Sequence, residues 1–135
     1  MAMEDIIKAA IEENWDYVDE RIPEVCDIPE NQIRALELLK DFDGNLRDLG
    51  ASIIQKAHIP PKRFLRFREA LAENVLSDPH KYAKYRAAFA LAEHGPGISY
   101  RRRVLKVLRE ASSDEDVGEI ARGYLERLGW KRQKN

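Results

Sequence analysis

Three segments of the chain repeat one helical pattern at a nearly constant spacing. They run from Leu46 to His58, from Ala83 to Gly95 and from Val117 to Gly129, so their first residues lie 37 and 34 residues apart. Periods of this length are typical of arrays in which each unit is a pair of helices that buries its apolar face against the next pair. This period therefore predicts a stack of helical hairpins.

Within the segments, the apolar residues fall on one face of a helix. The first segment places apolar or small residues at positions i, i+3, i+4, i+7, i+8 and i+11, and the third has the same offsets from Val117 to Leu128. This spacing is that of an amphipathic α-helix. The middle segment is apolar over a wider arc, which is expected for a helix with neighbours on both flanks.

A turn and an earlier helical pattern precede each segment. Turn-forming residues occupy 41–45, 77–80 and 112–116, and proline or glycine residues open each earlier helix, where they are well placed. The predicted fold is all-α, a right-handed α-solenoid of about three hairpins in a single domain over 1–135. The predicted parts are a capping helix at 4–22, repeats at 29–58, 60–95 and 97–129, and a tail at 130–135 in which Trp130 covers the end of the stack.

The stretch SDPHKYAKYRAAFALAEHG, from Ser77 to Gly95, resembles the HEAT-like repeats named after the phycobilisome lyases. In that family the second helix reads roughly V-R-x-x-A-A-x-A-L-G-x-L-G after an Asp-Pro turn, and the resemblance covers about residues 29–129. It implies an α-solenoid but no lyase activity, because the repeat is shared far more widely than that chemistry.

The same resemblance implies ion pairs between a basic residue of the second helix and the aspartate of its turn. Leu46-Arg47 and Ala83-Lys84 match the opening pair of the family pattern. Asp41 with Arg47 and Asp78 with Lys84 are therefore the expected pairs. Val117-Gly118 matches only the apolar half, so we expect the third repeat to lack this contact.

The residues that usually perform chemistry form no recognisable site. The three histidines, His58, His80 and His94, lack the His-x-x-x-His or His-Glu-x-x-His spacing of metal sites. Cys26 is alone and has no local histidine that would act as its base. No phosphate-binding glycine motif is present. We therefore expect no enzymatic activity, no metal and no cofactor.

The best candidates for partner binding lie on the second helices, which usually line the concave face of such a stack. Tyr85 and Phe89 stand at its centre, with Asp48 and Arg122 among the other expected surface positions. Two exposed aromatic residues would anchor a peptide or a partner helix. The alternative is that both are buried against the flanking helices. The first functional hypothesis is thus a protein-interaction or scaffold module.

The second hypothesis is nucleic-acid binding by a basic strip along the first helices. Its members would be Arg63 and Arg66 in the second repeat and Arg101, Arg102 and Arg103 in the third. Convergent cations bind phosphates, but the same pattern also describes an ordinary solvated helix face, and the net charge of the chain is only −1.

Charge is unevenly distributed along the chain. Residues 1–50 sum to −9 and residues 51–135 to +8. This polarity allows a head-to-tail contact between copies, so we expect a monomer or a weak dimer. No apolar run approaches the ~20 residues that span a bilayer, and the N-terminus is acidic where a signal peptide would be basic. The sequence thus predicts a cytoplasmic protein without membrane contact.

Overall fold

Residues 2–129 are described by a computed structural model, and within them the chain forms eight helices and no strand. The all-α class is therefore confirmed. The predicted tail at 130–135, with Trp130, lies outside the described residues. The helices are α1 (Ala2–Ile11), α2 (Trp15–Val25), α3 (Pro29–Leu38), α4 (Gly44–Lys56), α5 (Pro61–Ser77), α6 (Lys81–His94), α7 (Gly97–Ala111) and α8 (Gly118–Arg127).

The N-terminal segment is a hairpin of two helices, whereas the sequence predicted one capping helix over 4–22. The chain reverses after α1 because Glu13 adopts a left-handed backbone conformation, with φ at 62°. Asn14 then caps α2, its side chain accepting a hydrogen bond from the Tyr17 amide. Both α1 and α2 pack against α4, so this hairpin covers one side of the structure.

The remaining six helices form three consecutive hairpins, α3/α4, α5/α6 and α7/α8, whose two members pack together. Between hairpins, α4 packs on α6, α6 on α8 and α5 on α7. Helix α6 packs against α4, α5, α7 and α8, and its run from Ala87 to Leu91 is fully buried. This burial on all sides explains why the middle segment is apolar around most of its circumference.

Hydrogen bonds between residues 31 positions apart join successive units. Arg63 donates to the Gln32 side chain, Tyr100 donates to Glu69, and Tyr124 donates to Glu93. Asp27 likewise accepts the backbone amide of His58. These four bonds therefore join neighbouring parts of the chain at the same sequence separation.

The expected ion pairs within repeats are wrong, because the basic side chains reach the next unit instead. Arg47 forms two hydrogen bonds of 2.9 Å to the carboxylate of Asp78. The Asp41 carboxylate instead accepts the amide of Asp43 inside its own turn. Lys84 lies 3.5 Å from Glu110.

The third hairpin receives a contact of the same kind without a basic residue at position 118. Lys81 and Tyr82, at the start of α6, both reach the carboxylate of Asp114 in the α7–α8 turn. Gly118 has little room for a side chain, because a Cβ there would lie 2.8 Å from the Ser112 carbonyl oxygen. Close packing of the turn on α8 therefore accounts for the glycine.

Candidate interaction surfaces

Three of the four residues expected on a concave binding face are buried. Asp48, Tyr85 and Phe89 are 4%, 8% and 0% exposed, and only Arg122 is on the surface. Phe89 stacks on Tyr124 with 5.6 Å between ring centroids. The structure thus shows the buried alternative for both aromatic residues, and the ring of Phe89 joins α6 to α8.

The side where a groove was expected is filled by side chains of α4, α6 and α8. Gln55 of α4 donates a 2.8 Å hydrogen bond to the hydroxyl of Tyr124 on α8. That hydroxyl donates at 2.8 Å to Glu93 of α6, which also accepts from Arg127. Burial raises the pKa of Tyr124 to about 12, and the hydrogen bond to Glu93 adds to this. The three second helices are therefore joined directly.

Asp48 belongs to a second polar contact between α4 and α6. Its carboxylate accepts hydrogen bonds from Arg86 at 3.2 Å and from Ser52 at 3.4 Å. Burial raises the pKa of Asp48, while the Arg86 guanidinium acts in the opposite direction. With its carboxylate enclosed and paired, Asp48 links helices and does not face a partner.

The five arginines of the predicted basic strip are exposed, and two of them are hydrogen-bonded within the protein. Arg63 bonds Gln32 on the α3 side of α5, whereas Arg101 donates to the carbonyl of Leu128 at the end of α8. Where α5 meets α7, the carboxylate of Glu69 accepts a hydrogen bond from the hydroxyl of Tyr100. Arg66 lines a groove with Arg63, and Arg102 and Arg103 face solvent on α7. Two of the five arginines are thus bound by groups of the protein itself, and a carboxylate lies at the contact between α5 and α7.

A groove between α3 and α5 is a surface feature that the sequence did not predict. It encloses about 430 Å³, and its lining combines apolar residues with three cations: Pro29, Gln32, Ile33, Lys62, Arg63, Leu65, Arg66 and Phe67. The two helices do not pack along their lengths. Ile33 and Leu65 are 42% and 57% exposed. We name this feature the α3/α5 groove.

Two of the histidines and the cysteine have structural partners. His94 contacts the carbonyl oxygen of Ile54 at 2.7 Å through its Nε2 atom, and His80 caps α6 by accepting the amide of Ala83. Cys26 is buried, its thiol points to the carbonyl of Lys56, and burial raises its pKa. These placements favour structural roles.

Within 2–129 no group of three or more histidine, cysteine, aspartate or glutamate side chains is placed to hold a metal ion. No helix in that range has both the length and the apolar character to cross a bilayer.

Comparison with known proteins gives no match to a family model, to a curated protein or to a solved structure.

Proposed function

We propose that this chain is a non-catalytic protein-interaction module, built as a right-handed α-solenoid of HEAT-like hairpins, and that it binds its partner in the α3/α5 groove. The observation that carries the proposal is the exposure of Ile33 and Leu65 in a concave surface bordered by Lys62, Arg63 and Arg66. Apolar concave surfaces with a few polar groups at their border are typical of binding sites.

The chemistry of the groove indicates the kind of partner. Burial of exposed apolar surface contributes a favourable free energy of about 25 cal/mol per Å². The groove therefore favours a partner segment with apolar side chains. The three cations of α5 favour acidic residues beside them and would accelerate encounter with an acidic surface. The partner predicted by these features is a short acidic segment with an apolar anchor.

Affinity capture from a native extract, followed by quantitative mass spectrometry, tests this proposal. The variant Leu65→Glu places a negative charge inside the groove, and we expect it to lose the partner that the parent chain captures. Leu76→Glu is a matched control, because Leu76 is 50% exposed near the other end of the same helix and does not line the groove. Equal capture by both variants would overturn the assignment of the groove.

A further inference from the structure

The turn between α3 and α4 presents a fully exposed aromatic side chain between two carboxylates. Phe42 has a relative exposure of 103%, and Asp41 and Asp43 flank it. Large aromatic side chains are enriched at the centres of protein interfaces. The function proposed above does not use this turn.

Hydrogen bonds fix the backbone of this turn, so that Phe42 is presented from a rigid loop. Asp41 accepts the amide of Asp43 at 2.8 Å, and Asp43 accepts the amide of Asn45 at 2.8 Å as the N-cap of α4. Arg47 donates to the carbonyls of Asp41 and Phe42 at 2.8 and 3.0 Å. A preorganised loop loses little conformational entropy on binding.

The Phe42 turn is complementary to the α3/α5 groove in both polarity and charge. Its aromatic ring matches the exposed Ile33 and Leu65, and its two aspartates match the cations of α5. We propose that the chain self-associates by placing Phe42 of one copy in the α3/α5 groove of a second copy. This inference rests on the groove assigned under the proposed function and names one occupant for it.

The contact must join two copies, because a single copy cannot make it. The groove contains Pro29 and Ile33 from the first half of α3, whereas Phe42 follows the C-terminal end of the same helix. Ile33 lies roughly 7.5 Å along the helix axis before Leu38, the last residue of α3, and the fully exposed Phe42 beyond it does not line the groove. The turn is therefore held away from its own groove.

Sedimentation velocity on the full chain over a concentration series tests self-association. We expect association that weakens when salt rises from about 0.05 M to about 0.5 M, because the border of the contact is ionic. Phe42→Ala and Leu65→Glu should each weaken it by about tenfold or more. Ile98→Ala and Leu76→Glu are the matched controls, since Ile98 is 97% exposed, and both should associate like the parent chain.

Mixing the two impaired variants provides the decisive measurement. The Leu65→Glu chain keeps its Phe42, and the Phe42→Ala chain keeps its groove, so the mixture should form a pair that neither variant forms alone. Circular dichroism of each variant, which should match the parent chain, verifies that both are folded.

Three results would overturn self-association: a parent chain that remains monomeric at every concentration, a Phe42→Ala variant that associates normally, or a mixture that forms no pair. Partner capture distinguishes this failure from failure of the proposed function. Loss of a captured partner in Leu65→Glu but not in Phe42→Ala, together with a monomeric parent chain, rejects self-association and retains the groove as the partner site.

Discussion

Arg47 shows how one side chain joins two turns of the chain. Its guanidinium binds the carboxylate of Asp78 and the carbonyls of its own turn. The Asp78 side chain is 1% exposed and that of Arg47 is 15% exposed. Removing one partner from such a pair leaves a buried charge without compensation, which costs far more than losing a surface ion pair.

We therefore expect Arg47→Ala to lower the free energy of unfolding by about 3 kcal/mol. A double-mutant cycle by urea unfolding should give a coupling energy above about 1 kcal/mol between Arg47→Ala and Asp78→Asn. The cycle between Lys84→Ala and Asp78→Asn should give a value near zero, because Lys84 pairs with Glu110. A larger coupling for Lys84 than for Arg47 would contradict the observed pairing.

Tyr124 should ionise last among the tyrosines whose pKa is raised, because burial raises its pKa to about 12. A folded pKa above the unfolded value near 10 means that its contribution to stability is present below pH 10 and lost as pH rises towards 12. Absorbance titration of the parent chain minus that of Tyr124→Phe should give a difference curve centred near 12. A midpoint near 10 would show that the hydroxyl is not enclosed.

At the scale of elements, the hairpins differ in how closely their helices approach. A Cβ on Gly50 would lie 2.7 Å from the carbonyl oxygen of Ala35, so α3 and α4 meet at a position that only glycine fits. Gly123 of α8 is exposed, and a Cβ there would meet nothing within 4 Å. A side chain at Gly50 would therefore collide with the neighbouring helix, whereas a side chain at Gly123 would not.

Alanine at these two glycines should have opposite effects on the free energy of unfolding. Gly123→Ala should stabilise the chain by about 0.5–1 kcal/mol, because alanine is the better helix former and nothing obstructs it. Gly50→Ala should destabilise it by about 1–3 kcal/mol, because α3 would have to move. Urea unfolding of both variants tests this, and stabilisation by Gly50→Ala would show that the helices are less closely packed.

At the scale of the whole molecule, carboxylates with lowered pKa values connect successive units. The backbone amide of His58 lowers the pKa of Asp27. Burial acts to raise the pKa of Glu93, but the hydrogen bonds from Arg127 and Tyr124 outweigh the effect of burial, so the pKa of Glu93 is lowered overall. In Asp114, too, burial is outweighed, by the amides of Asp116 and Val117. Acid should therefore weaken contacts between hairpins.

We expect stability to fall as pH drops below about 4, the unfolded pKa of these carboxylates. A carboxylate whose pKa is lower in the folded state stabilises the fold above its unfolded pKa. This stabilisation is lost as the pH falls and the carboxylate protonates. Asp48 acts in the opposite direction, because its pKa is raised by burial. The midpoints of urea unfolding at pH 7 and pH 3 measure the net effect of these carboxylates on stability. The difference between the two midpoints should be smaller for Asp27→Asn than for the parent chain. An unchanged midpoint in the parent chain at pH 3 would contradict this account.

The partners of the exposed arginines lead to a prediction about nucleic acid. Arg63 is bound to Gln32 and Arg101 to the carbonyl of Leu128, and the carboxylate of Glu69 lies at the contact between α5 and α7, so these contacts oppose binding of a phosphate backbone. We expect fluorescence anisotropy to show only weak binding of a labelled duplex at about 0.05 M salt. Tight binding that Arg102→Gln and Arg103→Gln abolish would instead support the nucleic-acid hypothesis.

The sequence by itself determined the helical class and the number and order of the three hairpins after residue 28, because apolar periodicity and turn residues are local properties of the chain. It did not determine the break between α1 and α2 at Asn14. The pattern of apolar residues continues across this position, and the single side chain of Asn14 caps the second helix. The choice between exposure and burial of Tyr85 and Phe89 also remained open, because both sides of α6 are apolar.

Only the tertiary structure decided which side chains meet. Arg47 forms hydrogen bonds with Asp78 of the next unit, and Gln55 donates one to Tyr124 on α8. Leu65 is exposed in the groove between α3 and α5. Each of these depends on the distances and angles between helices, which side-chain packing sets and which no local pattern encodes. The candidate binding surface is therefore a property of helix packing, while the helices themselves are a property of the sequence.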